Sequence, residues 1–126
     1  MLKRIGLTGN RGFIARHLSR HFVDQGFPIL DLDDQIATFE LAPNSILDSI
    51  DIIFHCAAKS NILESFEQPA EFMAHNIGAL YGALNIALKS RATFVYFSSY
   101  VYGQPQYSPI DENHPTAILN PYMASK

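Results

Sequence analysis

Tyr122 and Lys126 stand four residues apart, in the run PYMASK at residues 121–126. On a helix this spacing places both side chains on one face. An ammonium group beside a phenol favours the phenolate and lowers the phenol pKa, so that a tyrosine can exchange protons near neutral pH. Such a pair alone is usually a surface contact. Its meaning therefore depends on the residues that precede it.

A glycine-rich turn near the amino terminus has the spacing of a dinucleotide-binding loop. The run TGNRGFIA at residues 8–15 follows a predicted strand and opens a predicted helix. Gly9 permits a tight turn, and Gly12 lets N–H groups at the helix start approach a pyrophosphate. Ala15 replaces the third glycine of the pattern. By itself this motif also fits an ordinary strand-to-helix turn.

Asp33 supplies a second sign of dinucleotide binding. It stands 21 residues after Gly12, at the predicted end of the second strand. A carboxylate there accepts hydrogen bonds from an adenosine ribose and repels a 2′-phosphate, which favours NAD over NADP. Arg11 points the other way, because a cation in the glycine turn can pair with that phosphate. Asp31 and Asp34 are alternative acidic residues.

Composition limits the class of protein. A chain of 126 residues with 48% hydrophobic content is expected to form one domain. A net charge of −3 without a basic cluster gives no electrostatic reason to expect nucleic acid or an anionic membrane as partner. The single cysteine, Cys56, excludes an internal disulfide framework. No segment reaches the roughly 20 apolar residues that span a bilayer. We expect a soluble, cytoplasmic protein.

Hydrophobic periodicity predicts strands that alternate with helices. The predicted strands cover residues 3–8, 27–32, 38–41, 51–56 and 92–97, and the predicted helices cover residues 12–25 and 69–90, with a helical turn at 43–50 and a last helix from Tyr122. This alternation predicts the α/β class, as a doubly wound Rossmann-type parallel sheet of order 3-2-1-4-5. A parallel sheet needs cover on both faces, so we expect this architecture to be incomplete at the carboxyl end.

Together these motifs resemble the extended short-chain dehydrogenase/reductase family, which includes NAD-dependent nucleotide-sugar epimerases, dehydratases and reductases. The matching elements are, in order, TGNRGFIA at 8–15, Asp33, HCAA at 55–58, Ser65 with Pro69 and Asn76, SSYVYG at 98–103, Glu112, and NPYMASK at 120–126. The resemblance covers essentially the whole chain. It implies an NAD(P)-binding Rossmann domain over residues 1–126 that stops right after the Tyr/Lys motif, without the family's substrate domain.

The resemblance implies a cofactor site. Phe13 and Ile14 would meet the pyrophosphate through their backbone N–H groups, and small residues at 56–58 would leave room below the cofactor. His55 is interpreted as a structural hydrogen-bonding residue and not as a catalyst. It has no partners at the spacing of metal ligands, which argues against a metal role. The residues implied for cofactor binding are Gly9, Arg11, Gly12, Phe13, Ile14, Asp33, Glu40, Leu41, Cys56, Ala57, Ala58, Asn76, Tyr122 and Lys126. Glu40 and Leu41 would lie at the adenine edge, and Asn76 would steady the active site.

The resemblance also implies a catalytic set. Counting back from the VYG landmark at 101–103, the serine that binds the substrate hydroxyl is Ser98, with Ser99 as the alternative. Tyr122, as phenolate, would take the hydroxyl proton while hydride passes to the nicotinamide. Lys126 would lower the phenol pKa and hold the nicotinamide ribose. The expected reaction is epimerase- or reductase-type hydride exchange at a hydroxyl or carbonyl of a nucleotide-sugar or related substrate.

Two further expectations concern subclass and partners. The family's sugar dehydratases carry an acidic residue just after the hydroxyl-binding serine or threonine, whereas Ser99 and Tyr100 follow Ser98 here. Epimerase or reductase is therefore preferred over dehydratase. If the full-length protein is an ordinary member of the family, the long helix at 69–90 and the helix from Tyr122 would form a homodimer face. The other interpretation is that the apolar residues of the long helix only pack on the sheet. The alternative to an enzyme is a non-catalytic dinucleotide-binding or regulatory module. In either case, we expect the 126 residues alone to bind NAD weakly and to show no epimerase or reductase activity.

Overall fold

A computed structural model of the chain describes residues 4–38 and 48–126. Its elements are β1 (Arg4–Thr8), α1 (Phe13–Asp24), β2 (Ile29–Asp31), α2 (Asp33–Thr38), β3 (Ile50–His55), α3 (Ile62–Glu67), α4 (Pro69–Ser90), β4 (Thr93–Tyr96) and α5 (Pro121–Ala124). Within these two ranges, no helix combines the length and apolar character that crossing a membrane requires.

The residues form two compact units. The first comprises Met1–Ala58 and Gly78–Phe97, and the second comprises Lys59–Ile77 and Ser98–Lys126. Helix α4 therefore contributes its first part to the second unit and the rest to the first.

The first unit contains a four-stranded parallel sheet of order β2-β1-β3-β4. Ile5 of β1 lies opposite Ile29 on one side and Ile52 on the other. The predicted α/β class is thereby confirmed. Strands β3 and β4 are the fourth and fifth predicted strands, so the 2-1-4-5 part of the predicted order is confirmed as well. The strand predicted at 38–41 lies outside the described residues except for Thr38, which ends α2 instead.

The core of the first unit lies where α2 and α4 pack against the sheet. Its buried members are Leu32, Ile36, Ile50, Ile53, Ala83, Ile86 and Ala87. Gly82 permits close packing of the two helices, because a methyl group there would lie 3.1 Å from the Ile36 backbone. Each large aliphatic side chain buried in this way contributes about 1.5–3 kcal/mol to stability.

Asp33 does not end the second strand as predicted. The strand β2 covers only Ile29–Asp31, and Asp33 is the first residue of α2. The Asp31 carboxylate accepts a hydrogen bond from the Asp33 N–H at 2.9 Å, and Asp33 and Asp34 place negative charge in the first helical turn. Both features favour the start of a helix over continuation of the strand.

Helix α3 was not predicted from the sequence. Asn61 caps it by accepting a hydrogen bond from the Glu64 N–H at 3.2 Å. The run N-x-x-E is a helix-start signature and was the available signal. The helical turn predicted at 43–50 lies mostly outside the described residues, and Ile50 belongs to β3.

The second unit includes a long loop at residues 98–120, which is organised around the buried His114 ring. Its Nε2 accepts a hydrogen bond from the Gln106 N–H at 3.0 Å, so its Nδ1 donates to the Pro115 carbonyl at 2.8 Å. The Tyr107 hydroxyl donates to the Asp111 carboxylate at 2.8 Å. This bond lowers the pKa of Asp111 and raises the pKa of Tyr107.

Candidate functional site

The glycine turn of the first unit is tightly constrained at Gly9. Its φ is +75°, and a methyl group there would lie 2.7 Å from the Ala57 nitrogen and 2.8 Å from the Cys56 carbonyl carbon. The Gly12 N–H donates to the Gly9 carbonyl at 2.8 Å and closes the turn. Both the conformation and the space therefore require glycine at position 9.

The start of α1 suits an anionic ligand. Gly12 is the N-cap in an extended conformation, and the helix start has no side-chain cap within the described residues. The Phe13 side chain is 76% exposed, whereas Ala15, in place of the third glycine, is fully buried. The N–H groups of the first turn and the positive end of a twelve-residue helix fit a pyrophosphate.

Asp33 lies directly against this turn. One carboxylate oxygen accepts the Gly9 N–H at 2.6 Å, and the other accepts the Asn10 N–H at 3.0 Å. An ionised carboxylate has about four acceptor positions, so two remain for ribose hydroxyls. The sequence predicted the ribose role but not this contact with the turn.

Thr8 joins the carboxyl ends of β1 and β3. Its buried hydroxyl oxygen accepts the Cys56 and Ala57 N–H groups, each at 3.2 Å. Its proton then points to His55 Nδ1 at 2.8 Å, which leaves the imidazole proton on Nε2. His55 thus makes the structural hydrogen bond that the sequence predicted. The role of Thr8 was missed, although it stands next to Gly9 in the motif.

Two arginines keep the NADP alternative open. Arg11, in the turn, and Arg16, on α1, are both exposed. The Arg16 guanidinium donates to the Arg11 carbonyl at 2.6 Å. This contact holds the positively charged Arg16 beside the turn, whereas Asp33 brings a negative charge to the same turn.

Three other predicted cofactor residues lie where β3 ends. Cys56, Ala57 and Ala58 follow His55 directly and are half-buried. Glu40 and Leu41 lie outside the described residues, so their place at the adenine edge stays a prediction.

The predicted catalytic residues Ser98, Tyr122 and Lys126 all belong to the second unit. Ser98 is exposed in the loop after β4, and the other two are half-buried. Helix α5 begins at Pro121, one residue before the predicted start, because Asn120 caps it by accepting the Met123 N–H at 2.7 Å.

Asn76 connects two parts of the second unit. The side chain is 3% exposed and contacts the Lys59 backbone twice, accepting its N–H at 2.8 Å and donating to its carbonyl at 3.0 Å. It also donates to Ser125 Oγ at 2.7 Å. The amide is therefore fully engaged by the protein.

Lys59, which the sequence analysis did not single out, lies among charged and aromatic side chains of the second unit. Its amine binds the Glu71 carboxylate, lies 3.6 Å from Glu64 Oε1, and stands 5.5 Å from the centre of the Phe72 ring. The hydrogen bond with Glu71 chiefly, and the charges of both carboxylates, raise the pKa of Lys59. The group is therefore an ammonium ion at neutral pH.

Comparison with known proteins identifies the family. The model of the "NAD dependent epimerase/dehydratase family" matches residues 5–126. The chain belongs to this family. One relative is UDP-glucose 4-epimerase from Azospirillum brasilense, 30% identical over an alignment of 144 positions, gaps included, that covers 98% of this chain and 41% of the relative. The resemblance to extended short-chain dehydrogenases/reductases is thereby confirmed.

Two solved structures are similar to this chain in both fold and sequence. An NAD dependent NDP-hexosamine 5,6-dehydratase, TunA, superimposes with a TM-score of 0.85 at 28% identity, over 98% of this chain and 46% of that one. RMD from Pseudomonas aeruginosa, complexed with NADPH, gives 0.74 at 27% identity, over 98% and 46%. The chain thus spans less than half the length of these relatives.

Proposed function

We propose that this chain is the NAD-binding part of an epimerase- or reductase-type oxidoreductase that exchanges hydride with a nucleotide-sugar hydroxyl or carbonyl. The observation that carries the proposal is the geometry of the glycine turn. Asp33 accepts the Gly9 and Asn10 N–H groups, and no side chain of the described residues caps the helix start that follows. Bound nicotinamide would supply the hydride chemistry.

The first unit would hold the dinucleotide. The first-turn N–H groups of Phe13 and Ile14 would bind the pyrophosphate, and Asp33 would accept the ribose hydroxyls through its remaining acceptor positions. Its charge would repel a 2′-phosphate, so NAD is proposed over NADP. The Thr8 hydroxyl would keep the backbone at Cys56 and Ala57 in place below the cofactor.

The second unit would handle the substrate proton. Ser98 would bind the hydroxyl, Tyr122 would remove its proton, and Lys126 would stabilise the phenolate. A non-catalytic dinucleotide-binding module, the alternative, has no use for this phenol–ammonium pair.

The substrate class is proposed from chemistry and kinship. The similar proteins described above are named for UDP-glucose and for an NDP-hexosamine, both nucleotide sugars. Ser99 and Tyr100 lack the carboxyl group that water elimination would need, which favours an epimerase or reductase over a dehydratase.

Calorimetric titration with NAD and NADP tests this proposal. We expect the 126-residue chain to bind NAD more tightly than NADP. Asp33→Asn should shift the ratio of the two affinities about tenfold or more towards NADP. The reason is that the substitution removes both the charge that repels a 2′-phosphate and charge-assisted hydrogen bonds worth about 1.5–3 kcal/mol. Asp24→Asn, the same charge change at the end of α1, is the control. Tighter binding of NADP by the unmodified chain would contradict the proposal.

Helix α4 is the proposed homodimer surface. Ile77, Tyr81, Leu84 and Leu88 repeat at helical spacing and are all exposed. We expect Leu88→Glu, a change at a side chain that is 75% exposed, to convert a dimer into a monomer, because it buries a charge in the interface. Sedimentation velocity measures the change. Val23→Glu on α1 should leave the mass unchanged, and an unmodified chain that sediments as a monomer would refute the proposal.

A further inference from the structure

We propose that Ser125 is a positioning residue for Tyr122. Its hydroxyl would couple the buried Asn76 amide to the turn that carries Tyr122 and Lys126. The inference rests on the proposed function, in which Tyr122 and Lys126 handle the substrate proton. Ser125 would act on Tyr122 through a hydrogen bond to the Tyr122 backbone carbonyl.

The direction of each hydrogen bond follows from the groups involved. Asn76 Oδ1 accepts from the Lys59 N–H, so Nδ2 must face the Lys59 carbonyl and Ser125 Oγ. The Ser125 oxygen therefore accepts at 2.7 Å, and its single proton goes to the Tyr122 carbonyl at 2.7 Å. The chain of bonds runs from Asn76 through Ser125 to Tyr122 and is polarised in one direction, which strengthens each bond.

The amide orientation cannot be reversed without cost. A flipped Asn76 would place its oxygen against the Lys59 carbonyl and its NH₂ group against the Lys59 N–H. Asn76 is 3% exposed and Ser125 is 4% exposed, so water does not readily replace the lost partners. Unsatisfied buried polar groups cost about 1–3 kcal/mol each.

Tyr122 needs such an anchor because α5 is short. The helix covers only Pro121–Ala124, and a helix of one turn is not stable by itself. The Asn120 cap fixes its start. At its end, the Ser125 N–H bonds to the Pro121 and Tyr122 carbonyls, while the Ser125 hydroxyl ties the same turn to Asn76. Removing the hydroxyl leaves the cap but releases the end of the turn from α4.

The experiment compares Ser125→Ala with Ser125→Thr, which retains the hydroxyl. In the 126-residue chain labelled with ¹³C at the tyrosine ring, Tyr122 is assigned through Tyr122→Phe, without cofactor. We expect Ser125→Ala to shift or broaden the Tyr122 ring signal and to speed proton exchange of the Asn76 side-chain amide about tenfold. Ser125→Thr should restore both. Ser90→Ala is the control, because Ser90 Oγ also donates to helix carbonyls, at Ile86 and Ala87.

A binding split adds a functional readout. We expect Ser125→Ala to weaken NAD about tenfold while ADP, which lacks both the nicotinamide and the ribose that Lys126 would hold, binds within about twofold of the unmodified chain. Ser125→Thr should recover NAD affinity.

Unchanged Tyr122 signals, amide exchange and ratio of NAD to ADP affinity in Ser125→Ala would overturn the inference. If the unmodified chain binds neither ligand, the proposed function fails, whereas the ligand-free spectra still decide the role of Ser125. Should Ser125→Ala not fold, Ser125→Cys carries the same test, because a thiol is similar in size and a weak hydrogen-bonding group.

Discussion

Replacing Gly9 with alanine is expected to lower the free energy of unfolding by about 2–5 kcal/mol and to abolish NAD binding. The positive φ contributes about 1–2 kcal/mol, since an L side chain is strained there. Overlap with the backbone contributes about 1–3 kcal/mol more, because the new methyl group would lie 2.7 Å from the Ala57 nitrogen, which is not a flexible side-chain end. The turn must shift to relieve it, and its N–H groups shift with it.

Gly26 provides a matched control for this prediction. Its φ is +81°, similar to that of Gly9, but beyond its chain neighbours no atom of residues 4–38 or 48–126 lies within 4 Å of a methyl group placed there. Gly26→Ala should therefore show only the conformational cost, about 1–2 kcal/mol, and should bind NAD normally. Urea unfolding and calorimetry measure both variants. Equal losses of stability would show that the close approach at Gly9 has no energetic importance.

Replacing Thr8 with valine is expected to destabilise the first unit by about 2–4 kcal/mol. Valine preserves the shape but withdraws the hydroxyl from His55 Nδ1 and from the Cys56 and Ala57 N–H groups at once. A buried polar group deprived of its hydrogen bond costs about 1–3 kcal/mol. The affinity for NAD should fall as well, because the Ala57 backbone that the hydroxyl holds lies against the glycine turn, 2.7 Å from where a methyl group on Gly9 would stand.

Thr8→Ser separates the hydroxyl from the rest of the side chain. Serine keeps the hydrogen bonds and loses one buried methyl group, so we expect a loss of only about 1 kcal/mol. Urea unfolding gives the stabilities, and hydrogen exchange at the Ala57 amide reports the local bond. A Thr8→Val variant as stable as Thr8→Ser, with unchanged exchange at Ala57, would refute this role for the hydroxyl.

Local patterns in the sequence predicted the elements that depend on neighbouring residues. The helix at Pro69–Ser90 has the predicted bounds because its apolar periodicity is long and proline can begin a helix. The glycine turn was also predictable, since positive φ and an open helix start are local demands on residue type. The short helices α2 and α3 were missed because caps and acidic residues, rather than a long periodicity, stabilise them.

The contacts that complete the site could not be read in this way. Asp33 reaches the turn across 24 residues, Thr8 reaches His55 across 47, and Asn76 reaches Ser125 across 49. Residue types and spacing show which groups can donate or accept. Together with the family resemblance they predicted the family and the fold class, and they gave the candidate residues as predictions. Types and spacing do not show which distant groups meet, because sheet register and helix packing, driven by the burial of apolar side chains, bring those partners within hydrogen-bonding distance.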